Sequence, residues 1–218
     1  MTDVSALYKT RFEQTGLDRR DRVWKVLCKH FFDQRIPANA TVVDLACGYG
    51  EFINNVAASR KIAVDLNPDA AQRLRPGISF FNIPATDLSA IGHEVADVVF
   101  TSNFLEHLRD KKECDLVLAA VRDVLKPGGK FIVMGPNIRY TYREYWDFYD
   151  HYLPLSDLSL AEGLGIAGFR IEESIARFMP YTMNNSTPTH DFLVRAYLAL
   201  PIAWRVLGKQ FLVTAVKQ

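Results

Sequence analysis

A glycine-containing turn and an acidic residue one strand later have the spacing of a nucleoside site. The segment Cys47-Gly48-Tyr49-Gly50-Glu51 follows an apolar run at 41–46 and precedes a helix-length segment. Glycines at such a junction let the backbone turn sharply and approach a ligand closely. Asp65 ends the next apolar run, 21 residues after Asp44. This spacing suits a carboxylate that binds ribose hydroxyls.

The same turn disfavours a dinucleotide. In the register of the GxGxxG pattern, the first glycine position is Ala46 and the third is Glu51. A carboxylate at the start of a helix repels a pyrophosphate and competes with it for the same amides. The turn therefore predicts a nucleoside ligand without phosphates, and its amides remain able to bind an amino-acid carboxylate. A tight strand–helix turn that binds no ligand is the alternative.

A second chemical feature is the aromatic segment at 140–152, in which seven of thirteen residues are Tyr, Trp or Phe. Aromatic faces with polar tips suit a ring-shaped substrate such as a sugar or a phenol. A hydrophobic lid is the alternative. His151, preceded by Asp150, is the leading candidate for a general base that deprotonates an oxygen acceptor, with His190 as second choice. A loop histidine that bonds to neighbouring backbone is the competing interpretation.

The elements that position these residues alternate between strands and helices. Predicted strands cover 41–46, 61–66, 78–83, 96–102, 129–135, 169–175 and 210–216, and several are continuous apolar runs, as in a parallel sheet buried on both faces. Predicted helices cover much of 1–36 and lie around 51–59, 68–74, 111–125 and 156–167. Pro201 is expected to split the apolar stretch at 192–208 into two short helices. The alternation predicts an α/β, doubly wound fold with ligands at the carboxyl ends of the strands.

Composition restricts the class of protein. The chain has 218 residues, 26 Lys and Arg, 25 Asp and Glu, and a net charge of +1. A balanced charge argues against nucleic acid as a partner. The three cysteines are far apart, and neither a zinc pattern nor a disulfide framework is predicted. The longest uncharged apolar stretch has nine residues, too few to span a bilayer, and no signal peptide is recognised. We expect a single domain in the cytoplasm, without a metal site.

Five ordered segments resemble the class I S-adenosylmethionine-dependent methyltransferases. They are VVDLACGYGEF, AVDLNP, PATDLSAI, ADVVFTSNFLEHL and LKPGGKFIVMGPN, and the resemblance covers about residues 38 to 137. The family's fold is a Rossmann-like sheet of seven strands, mostly parallel with the last antiparallel, and helices on both faces. The resemblance divides the chain into N-terminal helices at 1–36, a cofactor half at 38–137 and a substrate half at 138–218. A helical insert occupies 176–209.

The resemblance implies S-adenosylmethionine as cofactor and assigns its contacts. Asp44, Gly48 and Gly50 would border the methionine moiety, Asp65 would hold the ribose, and Asp87 and Leu88 would lie at the adenine. Asn103 would sit beside the sulfonium, and His107 would belong to the same loop. A histidine at the start of a helix, held by local hydrogen bonds, is the alternative for His107. Ala46, Cys47 and Leu66 complete the predicted cofactor residues. The family most often has Gly where this chain has Ala46, and a methyl group fits there if φ is negative. Asp87 has an alternative role as the N-cap of a helix that follows it.

The resemblance predicts a methyltransferase that acts on a small molecule. A nucleic-acid amino methyltransferase commonly carries an Asn/Asp-Pro-Pro-aromatic segment after strand four, where this chain has Ser102-Asn103-Phe104-Leu105. The later segments resemble methyltransferases of bacterial polysaccharide and glycolipid synthesis, which implies a sugar or glycolipid hydroxyl as acceptor. The alternatives are a non-catalytic cofactor-binding partner with a regulatory or scaffolding role, and an oxidoreductase on the same fold. The stretch at 192–207 is predicted to be a lid or a homodimer contact, with a peripheral membrane contact as the alternative.

Overall fold

A computed structural model of the chain describes residues 14–181 and 190–218, with the backbone alone for residues 14–18. Residues 1–13 of the predicted N-terminal helices and 182–189 of the predicted insert lie outside the described residues. The strands are β1 (Thr41–Leu45), β2 (Arg60–Val64), β3 (Ile78–Phe81), β4 (Ala96–Ser102), β5 (Leu125–Pro136), β6 (Phe169–Ile175) and β7 (Gln210–Lys217). They form one seven-stranded sheet in the order β3-β2-β1-β4-β5-β7-β6.

The sheet confirms the predicted fold class. β1 pairs in parallel with β2 and β4, and β2 with β3 and β4 with β5 pair in the same way. β7 runs antiparallel to both of its neighbours, β5 and β6. Strand order reverses between β1 and β4, and ligands bind at such a switch point in open α/β sheets. The glycine turn after β1 begins there.

The helices are α1 (Gln14–His30), α2 (Glu51–Asn55), α3 (Lys111–Val124), α4 (Ile138–Thr141), α5 (Asp157–Ile166), α6 (Asp191–Ala199) and α7 (Pro201–Leu207). α2 is shorter than predicted because Val56 is already extended. The predicted helix at 68–74 is a 3₁₀ turn, Pro68–Arg73, in which the side chain of Asn67 accepts from the amide of Asp69. The break at Pro201 is confirmed. No helix in the described ranges combines the length and hydropathy needed to cross a bilayer.

The core has one layer on each side of the sheet. Val43, Val99 and Val133 face a layer that includes α3 and α5, and Val42, Val98 and Ile132 face a layer that includes α1, α2 and α6. Neighbouring residues along each strand point to opposite faces, so continuous apolar runs such as ADVVFTS fill both layers. The sheet is therefore rigid where its carboxyl edge carries the candidate site.

Candidate functional site

Asp44 lies near the carboxyl end of β1 and is almost fully buried, at 3% exposure. The amide of Ile53 donates to its carboxylate. Its Oδ2 accepts no hydrogen bond from any residue that the structure describes. Burial, and then the negative charge of Glu51, raises the pKa of Asp44 well above its usual range, and Asp65 adds to the effect. A positively charged group at this oxygen would relieve the strain of an isolated buried charge.

The turn after β1 holds three residues with positive φ: Ala46 at 56°, Gly48 at 57° and Gly50 at 76°. The sequence-based condition for Ala46, a negative φ, is not met. A left-handed conformation costs an L-residue about 1–2 kcal/mol, so Ala46 adds strain to the turn. Gly50 is favoured because its φ of 76° strains an L-residue, and a Cβ atom there would also lie 2.6 Å from Cδ2 of Leu74, so that this side chain would have to move. Cys47 is buried, its amide donates to the carbonyl of Val64 over 3.0 Å, and burial raises the pKa of its thiol.

Asp65 follows β2 and faces the glycine turn. Its Oδ2 accepts from the amide of Gly48 and its Oδ1 from the amide of Asn67, each over 2.8 Å. Burial raises the pKa of Asp65, and the donating amides partly offset that rise. A carboxylate offers about four lone-pair sites, so both oxygens can accept further hydrogen bonds. Leu66, the next residue, is 61% exposed at the same edge.

Asp87 and Leu88 lie in the loop after β3. Asp87 is exposed, and its Oδ1 accepts from the amide of Ser89 over 3.0 Å. Hydrogen bonds from the Ser89 side chain and amide lower the pKa of Asp87. The helix that Asp87 would cap in the alternative interpretation is not formed, since turns follow it at Ser89 and Ala90. Leu88 is buried in the core, at 3% exposure.

Asn103 and His107 lie in the loop and 3₁₀ turn (Leu105–His107) after β4. Asn103 is exposed with φ of 49°, and its amide donates to the carbonyl of Met134 over 2.9 Å. Nδ1 of His107 lies 2.9 Å from the carbonyl oxygen of Asp150 and 3.1 Å from its Oδ2. Burial lowers the pKa of His107, but Asp150 and the charge of Glu106 outweigh it, so that the pKa is raised. The Asp150 carboxylate orients the His107 ring.

His151 is buried beside this pair, at 7% exposure. Its ring stacks on Phe148 at 4.7 Å between centroids and lies 4.7 Å from Tyr145 and 5.1 Å from His107. One donor atom from each of Glu106, His107 and His151 lies within 4.8 Å of the others. Two imidazoles beside carboxylates can exchange a proton with a ligand, and the same spacing would also admit a metal ion.

The aromatic segment divides between core and solvent. Tyr145 is fully buried, and its hydroxyl donates to the carbonyl of Leu153 over 2.7 Å. Tyr142, Trp146, Tyr149 and Tyr152 are between 48% and 86% exposed. The amides of Tyr152 and Leu153 donate to the carbonyl of Glu106. The segment is therefore fixed to the turn after β4, with its outer rings open to a ligand.

Asn137 is a structural residue of the site that the sequence analysis missed. It is fully buried at the end of β5, and its Nδ2 donates to Oδ1 of Asp157 over 2.7 Å and to the carbonyl of Ala176 over 2.9 Å. Its amide donates to the carbonyl of Lys209. The signal was an Asn directly after a buried strand, where a side chain can accept from the helix that follows. His190, by contrast, is exposed at the start of α6.

The comparisons agree with this geometry. Residues 43–133, from β1 to β5, match the family model of the methyltransferase domain. They contain the glycine turn, Asp65, Asp87 and the His107 turn. The chain therefore carries an S-adenosylmethionine-dependent methyltransferase domain.

Solved structures similar to this methyltransferase show the same fold over nearly the whole chain. The methyltransferase in a Haloferax volcanii complex with the Trm112 activator is 18% identical, with a TM-score of 0.69 and coverage of 99% of this chain and 98% of that one. An S-adenosylmethionine-dependent methyltransferase of Archaeoglobus fulgidus is 19% identical, with a TM-score of 0.68 and coverage of 99% and 100%. One from Mesorhizobium loti is 18% identical, with a TM-score of 0.60 and coverage of 84% and 94%. A search of curated proteins gave no match.

The site of this methyltransferase fits its cofactor, S-adenosylmethionine. The cofactor carries an ammonium and a sulfonium, and the carboxylates of Asp44, Glu51 and Asp65 act electrostatically on one another at the glycine turn. Arg20 pairs with Glu51 at 2.9 Å, whereas Oδ2 of Asp44 is orphaned within the described residues. A buried carboxylate oxygen that accepts no hydrogen bond is costly unless a cationic or donor ligand satisfies it. The donor set therefore suits a cationic ligand and disfavours a phosphate.

Proposed function

We propose that this methyltransferase transfers a methyl group to a hydroxyl of a small molecule, a sugar or a glycolipid precursor. The observation that carries the proposal is the imidazole pair beside the exposed aromatic side chains, in which Asp150 holds His107 and the ring of His151 packs against that of His107. An oxygen acceptor must lose a proton, and a histidine with a pKa near neutrality is suited to take it. Exposed aromatic rings next to such a base suit a pyranose-like acceptor.

We assign the cofactor contacts residue by residue. Asp44 would accept from the methionine ammonium through Oδ2, and the turn from Ala46 to Gly50, with Cys47 and Gly48, would line the methionine. Asp65 would accept from the ribose hydroxyls. The adenine would lie between Leu66 and the loop of Asp87 and Leu88, and Asn103 would border the sulfonium. When bound, S-adenosylmethionine supplies an electrophilic methyl group.

His107 is the better placed of the two candidate bases. The Asp150 carboxylate accepts a hydrogen bond, so Nδ1 of a neutral His107 carries the proton and Nε2 keeps the free lone pair. This is the orientation that a carboxylate gives to a catalytic imidazole in hydrolytic triads. The His107 side chain is 29% exposed, which leaves it within reach of a ligand. His151, proposed from sequence, lies deeper, and its ring fixes the other side of the pair.

The surroundings exclude water on the protein side of the proposed acceptor. Tyr145, Leu153 and Leu155 are buried beneath the loop, and Phe148 covers His151. An apolar environment favours a methyl transfer in which positive charge is dispersed, because little solvent has to reorganise. The exposed rings of Tyr142, Trp146, Tyr149 and Tyr152 would hold the acceptor from the solvent side.

The first experiment tests the base. Turnover to S-adenosylhomocysteine is measured over a panel of sugar, glycolipid and phenol acceptors, with His107→Ala, His151→Ala and the control His93→Ala. His93 is exposed on a turn before β4, and its replacement should leave turnover unchanged. We expect His107→Ala to lower turnover about 10²–10⁴-fold, the range for a general base, with cofactor affinity retained. Loss in His151→Ala alone would move the base to His151, and unchanged turnover in both variants would overturn the proposal.

A chelator control accompanies this assay. Turnover by an imidazole base should be unaffected by EDTA and by added Zn²⁺ at stoichiometric amounts. Turnover that EDTA abolishes and Zn²⁺ restores would instead identify a metal-dependent reaction. A protein that binds the cofactor but turns over no acceptor in the panel would favour the regulatory alternative.

The second experiment tests the ribose contact. Asp65→Ala removes a charge-assisted hydrogen bond worth about 1.5–3 kcal/mol, so affinity for S-adenosylmethionine should fall roughly 10–150-fold. Asp69→Ala, four residues on at an exposed position, is the matched control and should bind normally. Titration calorimetry measures both. Equal affinity in Asp65→Ala and wild type would contradict the assignment.

A further inference from the structure

The helices α6 and α7 present a set of large apolar side chains to solvent, which we call the α6–α7 face. Its members are between 43% and 77% exposed: Phe192, Leu193, Leu200, Ile202, Val206 and Leu207. They fall within the 16 consecutive residues from 192 to 207. An exposed apolar patch of this density marks an interaction surface in a folded protein.

The opposite side of the same helices is anchored in the core. Val194 and Leu198 are buried in the layer that contains Phe31 and Phe178. The ring of Trp204 lies 5.3 Å from Phe178 and 6.0 Å from Phe31, and its Nε1 donates to the carbonyl of Tyr197. The outward direction of the α6–α7 face is therefore set by packing on the inner side, and its side chains are not members of this core cluster.

Positive charge predominates on the two helices that form the face. Arg195 and Arg205 are exposed on the two helices, and Asp191 is the only acidic residue between 190 and 209. Slight burial, and then the charges of Arg195 and Lys29, lower the pKa of His30 at the end of α1, so both cations lie near that ring. The whole chain carries only +1, so this positive rim is a local excess.

We propose that the α6–α7 face binds the interfacial region of an anionic lipid bilayer. Apolar side chains flanked by basic residues insert between acyl chains and headgroups, while arginines contact the anionic headgroups. A symmetric contact with a second copy is disfavoured, because it would bring the arginines of both copies together with one acidic residue each to oppose them. Bilayer binding by this face is a property beyond the proposed methyl transfer, and it does not depend on that activity.

The position of the face links it to the aromatic segment at 140–152. Arg177 donates to the carbonyls of Val206 and Gly208, each over 2.7 Å, and its guanidinium lies 4.7 Å from the ring centroid of Tyr140. α7 leads directly into Gln210, which pairs with Pro136 at the carboxyl end of β5. Exposed Trp146 and Tyr149 occur in the same segment, and such residues favour membrane interfaces. A bilayer at the face would present lipid-linked acceptors to the site, an extension that rests on the proposed function.

Vesicle flotation of the full chain tests the surface. We expect binding to phosphatidylglycerol-containing vesicles at low salt, much weaker binding to pure phosphatidylcholine, and at least a tenfold loss in the double variant Ile202→Glu, Val206→Glu. Ile166→Glu is the matched control, because Ile166 is 83% exposed at the end of α5 and lies outside the face. Calorimetry with S-adenosylmethionine verifies that each variant is folded.

Three results would overturn the proposal. One is the absence of wild-type binding to anionic vesicles at low salt, and the second is equal loss in Ile166→Glu and the double variant. The third is a wild-type dimer in solution that the double variant dissociates without any vesicle binding, which would assign the face to a second copy. Because flotation uses no acceptor, failure here is distinct from failure of the methyl-transfer assay.

Discussion

At the scale of single residues, burial of the Asp44 carboxylate destabilises the protein without cofactor, and ligand binding offsets this free-energy cost. Its carboxylate is buried, and the negative charges of Glu51 and Asp65 act on it. Asp44→Asn keeps the acceptor oxygen for the Ile53 amide and removes the charge. We expect affinity for S-adenosylmethionine to fall roughly 10–150-fold, because a charge-assisted hydrogen bond to the ammonium is lost. Stability without cofactor should rise or stay equal, because a buried unpaired charge is removed.

The sign of the pH dependence follows from the raised pKa of Asp44. The unfolded pKa of an aspartate is about 3.9. When the pKa in the folded protein is higher than this, the stabilising contribution of the group is fully present at pH values below the unfolded pKa. This contribution is lost as pH rises through the folded pKa. Urea unfolding without cofactor from pH 4 to 8 should show the Asn variant gaining on wild type as pH rises. Asp97→Asn is the control of opposite sign, because Lys126 and the Thr41 amide stabilise the Asp97 carboxylate and its pKa is lowered. An Asp44→Asn protein that loses stability at neutral pH would contradict the argument.

The Asp150–His107 contact makes a separate prediction about catalysis. A general base works when unprotonated, so kcat/KM rises as pH passes through the pKa of the free enzyme's base. Asp150→Asn removes the carboxylate that raises the pKa of His107, leaving Glu106 as the remaining charge that raises it. The acid limb of the pH–rate profile should therefore move to lower pH, and the rate on the plateau should fall because the base is weaker. An unchanged acid limb, measured in the same buffers as wild type, would remove His107 from the titrating role.

At the scale of elements, Asn137 joins the aromatic segment to the sheet. It connects the end of β5 to α5, to the residue after β6 and to the residue before β7 through the bonds to Asp157, Ala176 and Lys209. Asn137→Ala leaves buried groups unsatisfied, which should lower the free energy of unfolding by about 1–3 kcal/mol. Thermal unfolding measures this effect. Asn39→Ala, at an exposed turn before β1, is the control and should be within about 0.5 kcal/mol of wild type.

Acceptor kinetics extend the same prediction. Since Asn137 lies under the aromatic segment rather than at the glycine turn, Asn137→Ala should raise KM for the acceptor more than it weakens S-adenosylmethionine binding. An equal effect on both ligands would mean that Asn137 supports the whole fold and has no particular role at the aromatic segment.

At the scale of the whole molecule, cofactor binding should be visible as thermal stabilisation. A ligand at a hundred times its Kd adds about 2.7 kcal/mol, which for a domain of this size raises Tm by roughly 5–10 °C. S-adenosylhomocysteine lacks the sulfonium charge, so it should raise Tm by less than S-adenosylmethionine does at the same concentration. NAD should give none, because Glu51 disfavours its pyrophosphate at the glycine turn. A larger shift with NAD than with S-adenosylmethionine would contradict the cofactor assignment.

The sequence alone determined the order of strands and helices along the chain. Through the family resemblance it also determined the class of cofactor. The runs TVVDL and ADVVFTS are apolar on both faces, so their burial in a parallel sheet follows from local pattern. The glycine turn and Asp65 are short-range features, because each lies at the carboxyl end of one strand. The order of the motifs along the chain is read directly from the sequence. The last two strands, β6 and β7, were predicted with the same success, since their pattern is equally local.

Tertiary structure decided which side chains meet. Asp150 and His107 are 43 residues apart, and their contact depends on how the loop after β5 folds back onto the turn after β4. The positive φ of Ala46 follows from the path of the chain between β1 and α2, which no residue type specifies by itself. The outward direction of Ile202 and Val206 depends on α6 and α7 packing through their other side against Phe31 and Phe178. These contacts are long-range, so their free energy depends on the whole sheet having formed, and local sequence carries no signal for them.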